Sequence, residues 1–191
     1  MVTSIGKRSD FERVPRDYYP TPIEAVRPLM PHLPLSFNYI EPCAGDGRLV
    51  EHIKKLSDNC GSCYIASDIE PQKPSIAKRD ALAPEWKSLG YPIHHEFGPT
   101  GLCITNPPWD RKFLHPFILH WMRICPTWLL FDADWMHTKQ SEPFMRHCSK
   151  IVSVGRVKWV EGSKNTGKDN CCWYKFELIK RPTEFYGRNE L

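Results

Sequence analysis

From residue 38 onward, short apolar runs alternate with stretches whose apolar residues recur every three or four positions, the pattern of strands feeding helices in a mainly parallel sheet. The runs predict strands at 37–40, 63–67, 102–105 and 128–131, with a very short one just before Asp80. The run at 128–131 is wholly apolar, as a strand covered on both faces should be. Leu49, Ile53 and Leu56 share one face of a helix predicted over 48–56. Leu114, Phe117, Ile118, Trp121 and Met122 share a face of another over 113–124, although Pro116 intrudes near its start. Residues 151–160 and 171–178 read as the arms of a hairpin, joined by a Gly- and Lys-rich loop at 161–170. Upstream, six prolines between Pro15 and Pro34 rule out one long helix. That segment predicts a wrapping stretch of chain with a short helix over 23–30.

At 191 residues the chain can bury one substantial core and has little room for two ordinary domains. It is 41% hydrophobic and 25% charged, a globular composition. No stretch approaches the roughly 20 apolar residues that span a bilayer, and residues 1–10 hold no apolar signal region. A cytoplasmic location follows as the expectation, with its eight cysteines as free thiols. The net charge of +4 is modest, but residues 150–191 hold nine Lys/Arg against five acids. Such a patch attracts a phosphate backbone or is simply a solvated face.

Glu41-Pro42-Cys43-Ala44-Gly45-Asp46-Gly47 follows the first strand and opens a helix. Its glycines permit a sharp turn and a close ligand approach at the carboxyl edge of the sheet. Asp68 ends the second strand and Asp80 follows the third, so both acids reach that same edge. An acid in the first of these places can accept the hydroxyl hydrogens of a ribose; a helix cap is the plain alternative. The glycine spacing is not GxGxxG, which disfavours a nicotinamide ligand. Together these residues resemble the class I S-adenosylmethionine-dependent methyltransferases. The resemblance implies a Rossmann-like α/β three-layer sandwich with a mainly parallel seven-stranded sheet and an antiparallel C-terminal hairpin. It implies S-adenosyl-L-methionine as cofactor, its methionine part surrounded by Glu41–Gly47, its ribose on Asp68 and its adenine against Ile69, with Asp80 and Ala81 near the adenine amino group. Tyr19, Thr21 and Pro22 match the segment that closes the cofactor pocket from the N-terminal side. Residues 1–35 are then the wrapping segment and 36–191 the catalytic domain, with no space for a separate target-recognition domain.

Asn106-Pro107-Pro108-Trp109 follows the fourth strand. Two prolines fix the backbone, so the Asn106 amide oxygen and the Pro107 carbonyl can be held as two acceptors for the N–H groups of an exocyclic amine. Such a nitrogen is a poor nucleophile because its lone pair is delocalised into the ring. Trp109 offers a flat surface for a planar target, which must be flipped out of a duplex to arrive there. A plain turn is the structural alternative. The tetrapeptide resembles the motif shared by adenine-N6 DNA methyltransferases, RNA methyltransferases acting on amino groups and glutamine methyltransferases of proteins, with Trp in fourth place most like the DNA enzymes. This implies DNA as the partner and Asn106 as a residue touching both cofactor and acceptor. A module that binds cofactor or nucleic acid without catalysis is the alternative from another class.

The hairpin resembles the paired strands ending small adenine methyltransferases of phage type. Lys164, Lys168 and Asn170 lie in or beside its loop, suited to phosphate contact, and Trp173 or Tyr174 is expected to hold a flipped base, unless strand alternation buries them. Cys60-Gly61-Ser62-Cys63 has no second ligand pair at a zinc distance, so no metal is expected. His94-His95 and Cys171-Cys172 are adjacent pairs that strands would point to opposite faces. Asp132 and Asp134 line the active-site edge or cap the next helix.

Overall fold

A computed structural model describes residues 18–88, 101–160 and 166–188. Lys164 and the His94-His95 pair lie outside the described residues. The strands are β1 (Phe37–Glu41), β2 (Gly61–Asp68), β3 (Ala77–Lys78), β4 (Gly101–Thr105), β5 (Thr127–Asp132), β6 (Cys148–Arg156), β7 (Asn170–Phe176) and β8 (Glu184–Tyr186). They form one sheet in the order β3-β2-β1-β4-β5-β7-β6-β8. The first five are mutually parallel, with Ile40 beside Cys103 and Thr105 beside Leu129. Their carboxyl ends therefore share one edge. β7 then runs antiparallel between β5 and β6, pairing Cys171 with Asp132 and Asn170 with Arg156, which brings the hairpin tip to that same edge.

Alternation along the strands divides the core into two. Trp128, Leu130 and Trp173 face α1 (Ile23–Val26) and α2 (Arg48–Leu56), packing on Ala25, Val26, Leu49 and Ile53. Phe131, Tyr174 and Phe176 face the other way, with Leu114, Phe117, Ile118 and Trp121 of α3 (Arg111–Trp121) in the same cluster. Trp121, Trp128 and Trp173 are at most 1% exposed, and burial of each such side chain contributes about 1.5–3 kcal/mol.

Several boundaries and one strand depart from the pattern-based reading. The predicted helix over 23–30 is α-helical only to Val26, then 3-10 over Arg27–His32, because Pro28 and Pro31 supply no N–H for an α-helical ladder. The later helix begins at Arg111, where the Asp110 side chain accepts a bond from the Lys112 N–H at 3.0 Å. The first hairpin arm spans 148–156 rather than 151–160; Gly155, at φ +85°, lies in its last turn of pairing beside a register shift. The sheet has eight strands among the described residues, not seven. β8 is three residues long and without alternation, and tertiary contacts hold it: it pairs in parallel with β6, Thr183 Oγ1 donates to the Cys148 carbonyl at 2.7 Å, and the Tyr186 ring lies 4.3 Å from His32. All eight thiols are free. Among the described residues no helix is long and apolar enough to cross a membrane, and no three His, Cys, Asp or Glu side chains converge as metal ligands.

Candidate active site

The turn after β1 is built from backbone bonds that only glycine conformations allow. Gly45 and Gly47 have φ of +52° and +79°, in the left-handed region that other residues enter at a cost. The Ala44 N–H donates to the Ser67 carbonyl at 2.8 Å and the Gly45 N–H to Asp68 Oδ2 at 2.9 Å, so the turn is bolted to the end of β2. Asp68 Oδ1 also accepts from the Glu70 N–H at 2.8 Å. Its carboxylate thus fixes the loop and still has lone pairs for a ligand's hydroxyls. Asp80 lies on the surface past β3 and caps its own turn through the Leu82 N–H at 2.8 Å. The next carbonyl, of Ala81, accepts from the Trp121 indole at 3.0 Å. Ile69, one residue past β2, is 52% exposed.

Glu41 ends β1 and is 1% exposed. Its Oε1 receives a long bond of 3.5 Å from Thr105 Oγ1, while the buried Oε2 has no protein partner. Burial, reinforced by the nearby Asp68 charge, holds the carboxyl well above the usual carboxylate range. An orphaned buried acceptor at the carboxyl edge is the feature a cationic ligand group would complete. Tyr18, which opens the Tyr18–Pro22 segment, lies over the glycine turn: a Cβ placed on Gly45 would meet Tyr18 Cε2 at 2.6 Å. Burial and the Asp46 carboxylate push its hydroxyl above the ordinary tyrosine value.

Asn106 follows β4 and is half-buried. Its Nδ2 donates to the Tyr19 carbonyl at 3.3 Å and to Thr21 Oγ1 at 3.2 Å, and its Oδ1 accepts from the Trp109 indole N–H at 3.1 Å. Thr21 is buried and Pro22 caps α1 from outside. The Asn-Pro-Pro-Trp segment and the Tyr19–Thr21 strap are therefore one hydrogen-bonded unit. Trp109 meets Trp159 edge-on at 5.6 Å, and the Tyr19 ring lies 6.4 Å from Trp159.

The structure corrects the expectation for the flipped base. Trp173 is fully buried, its indole N–H bonded to the Ala25 carbonyl at 2.7 Å, and Tyr174 is fully buried, its hydroxyl bonded to the Asp132 carbonyl at 3.1 Å. The two core clusters cover β7 on both faces, Trp173 in one and Tyr174 in the other, so neither ring reaches the open edge. Trp159, just past the end of β6 and half-buried, is the aromatic that stands beside Trp109. The signal for it was in the sequence: an aromatic at the mouth of a Gly- and Lys-rich loop, where a strand's pairing has ended. The Gly167 N–H closes this corner by donating to the Val157 carbonyl at 2.7 Å. Lys168 and Asn170 are exposed on the far arm of the tip, near exposed Arg156 and Lys158. Asp132 caps the 3-10 turn Ala133–His137 through the Asp134 N–H at 3.0 Å.

The sequence matches no family model and no curated relative. Among solved structures, it superposes on a methyltransferase subunit of a type I restriction-modification system from Streptococcus thermophilus with a TM-score of 0.54 at 11% identity, over 88% of this chain and 47% of that one. The chain has the class I methyltransferase fold. A protein described as a modification subunit of a type I restriction enzyme from Vibrio vulnificus gives a TM-score of 0.54 at 13% identity, over 89% and 47% of the two chains. One described as a class I S-adenosylmethionine-dependent methyltransferase, from Listeria monocytogenes, gives 0.53 at 14%, over 86% and 61%. The chain thus spans about half the length of the two restriction-system proteins. In this methyltransferase fold the glycine turn, Asp68 and Asn106 all stand at the carboxyl ends of β1, β2 and β4, the edge at which open α/β sheets bind their ligands.

Proposed function

We propose that this chain transfers the methyl group of S-adenosyl-L-methionine to the exocyclic N6 amino group of adenine in DNA. The observation that carries the reading is the orientation of Asn106: with Nδ2 taken by Tyr19 and Thr21, the amide oxygen is the atom left for an incoming N–H. Oδ1 has one lone pair toward Trp109 and a second for the amine, and the Pro107 carbonyl supplies the other acceptor.

The residues of the neighbouring edge fit the cofactor by their chemistry. Glu41 Oε2 would take the ammonium group of its amino-acid end, Asp68 the ribose hydroxyls, exposed Ile69 one face of its adenine, and Asp80 with Ala81 that ring's amino edge. When bound, the cofactor supplies a methyl group on a sulfonium that is its own leaving group, so the protein's task is alignment. Trp159 and Trp109 form the corner that would hold a flipped base, a contact worth about 1–3 kcal/mol per aromatic ring. Arg156, Lys158, Lys168 and Asn170, with Lys164 outside the described residues, would meet the phosphates. The restriction-system neighbours support a nucleic acid as acceptor.

Purified protein is incubated with methyl-labelled cofactor and separate DNA, RNA and protein pools. Label recovered in DNA as N6-methyladenine is the expected result; label confined to RNA or to protein glutamine would sink the DNA assignment. Asn106→Ala should abolish transfer, since it removes the amine's acceptor together with the two bonds to the strap and the one from Trp109, while cofactor affinity stays largely intact because Glu41 and Asp68 are untouched.

A further inference from the structure

A primary amide has two ends of nearly equal shape. Rotation by half a turn about the last side-chain bond exchanges its oxygen and nitrogen. At Asn106 one of those states grips an amine and the other meets it with two N–H groups of its own, so some part of the protein must choose between them.

We propose that Thr21 is a positioning residue for Asn106, holding the amide so that its oxygen faces the acceptor, rather than a cofactor contact. The inference rests on the reading that Asn106 grips an amine. Two bonds select the state, Nδ2 to the Tyr19 carbonyl at 3.3 Å and the Trp109 indole N–H to Oδ1 at 3.1 Å, and a third, Nδ2 to Thr21 Oγ1 at 3.2 Å, adds the strength that holds the amide there. In the flipped state the amide oxygen would face a carbonyl that only accepts, and the NH2 group would face an indole that only donates. Thr21 is 5% exposed, so water cannot replace its hydroxyl. The Tyr19 contact comes from the main chain, which leaves Thr21 as the strap contact that a side-chain substitution reaches. The Tyr19 ring reinforces the assignment, since it stands by Trp159 in the acceptor corner.

Two variants separate the hydroxyl from the shape. Thr21→Val keeps the shape and loses the oxygen; Thr21→Ser keeps the oxygen. With saturating DNA and cofactor, Thr21→Val should lower kcat about tenfold, the equivalent of one neutral hydrogen bond. Its cofactor Kd should stay within about twofold of the parent, and Thr21→Ser should restore kcat. A second readout needs no turnover: the Asn106 side-chain amide protons, assigned by their loss in Asn106→Asp, should exchange slowly with solvent in the ligand-free parent and in Thr21→Ser, and faster in Thr21→Val. Unchanged kcat in Thr21→Val, a raised cofactor Kd at constant kcat, or an Asn106 amide indifferent to the hydroxyl would each overturn the assignment. Failure of the underlying reading looks different: the parent itself would transfer no methyl group, and the exchange measurement would still decide whether Thr21 holds the amide.

Discussion

Replacing Glu41 by Gln should move cofactor affinity and the stability of the empty protein in opposite directions. The carboxyl is 1% exposed, its Oε2 has no protein partner, and burial with the Asp68 charge keeps it well above the usual carboxylate range. A cationic ammonium group would complete it with a charge-assisted bond, about 1.5–3 kcal/mol. Loss of that bond weakens binding roughly 10- to 150-fold. The same substitution removes a carboxyl that ionises at a cost in the folded state. Because the folded protein holds this proton to higher pH than the unfolded chain, its stabilising contribution is complete below the ordinary carboxyl range and is lost as pH rises through the raised native value. Glu41→Gln abolishes that loss. The melting temperature of the ligand-free variant should therefore exceed the parent's by an amount that widens as pH rises above the ordinary carboxyl range and through the raised native value, with each 1 kcal/mol worth roughly 2–4 °C in a chain of this size. Parent affinity for the cofactor should also rise across that interval, since the ionised carboxylate is the form that pairs, whereas the variant's should stay flat. Calorimetric titration of the cofactor and thermal melts over the same pH series measure both effects. A Gln variant that binds as tightly as the parent, or melts lower at every pH, would refute the assignment of Glu41.

Two further substitutions separate the acceptor corner from the core. Trp159→Ala should lower kcat/KM for the nucleic acid by roughly 5- to 150-fold, the loss of one stacking surface, with cofactor Kd unchanged by calorimetry; an unaltered kcat/KM would remove Trp159 from the site. Trp173→Phe deletes the bond to the Ala25 carbonyl and should cost about 1–3 kcal/mol of stability, read as a lower midpoint in urea, while kcat/KM per folded molecule stays that of the parent. A selective loss of acceptor affinity there would restore Trp173 to the base pocket.

Those two tryptophans show where reading the chain by pattern succeeds and where it stops. Helix α2 was legible by the three-to-four spacing of its apolar residues, and strands β1, β2, β4 and β5 as short apolar runs, β4 and β5 being covered on both faces. The glycine turn and the residues after β2 and β4 reach one edge as expected, since parallel strands must end together. Alternation places Trp173 and Tyr174 on opposite faces, but it cannot say whether one face is open; that depends on what packs above and below the sheet, a fact of tertiary structure. β8 was illegible for the same reason, being held by contacts from His32, Cys148 and Lys150 and not by any period of its own. Nor does any local pattern pair Asn106 with a strap 85 residues earlier.

Strand β4 explains why the two halves of the site can be held in register. Thr105 ends β4 and Asn106 is the residue that follows it. Thr105 is fully buried and reaches Glu41, while Asn106 reaches the Tyr19–Thr21 strap. β1 and β4 are adjacent and parallel, with Ile40 beside Cys103, so the acid and the amide are fixed to each other through two paired strands without an intervening loop. Methyl transfer needs nitrogen, carbon and sulfur in line, and displacements near 1 Å can cost about a hundredfold in rate. Under the proposed transfer, holding Glu41 at the end of β1 and Asn106 directly after β4 meets that demand, and it leaves orientation of the amide, rather than distance, as the variable that the Tyr19–Thr21 strap has to set.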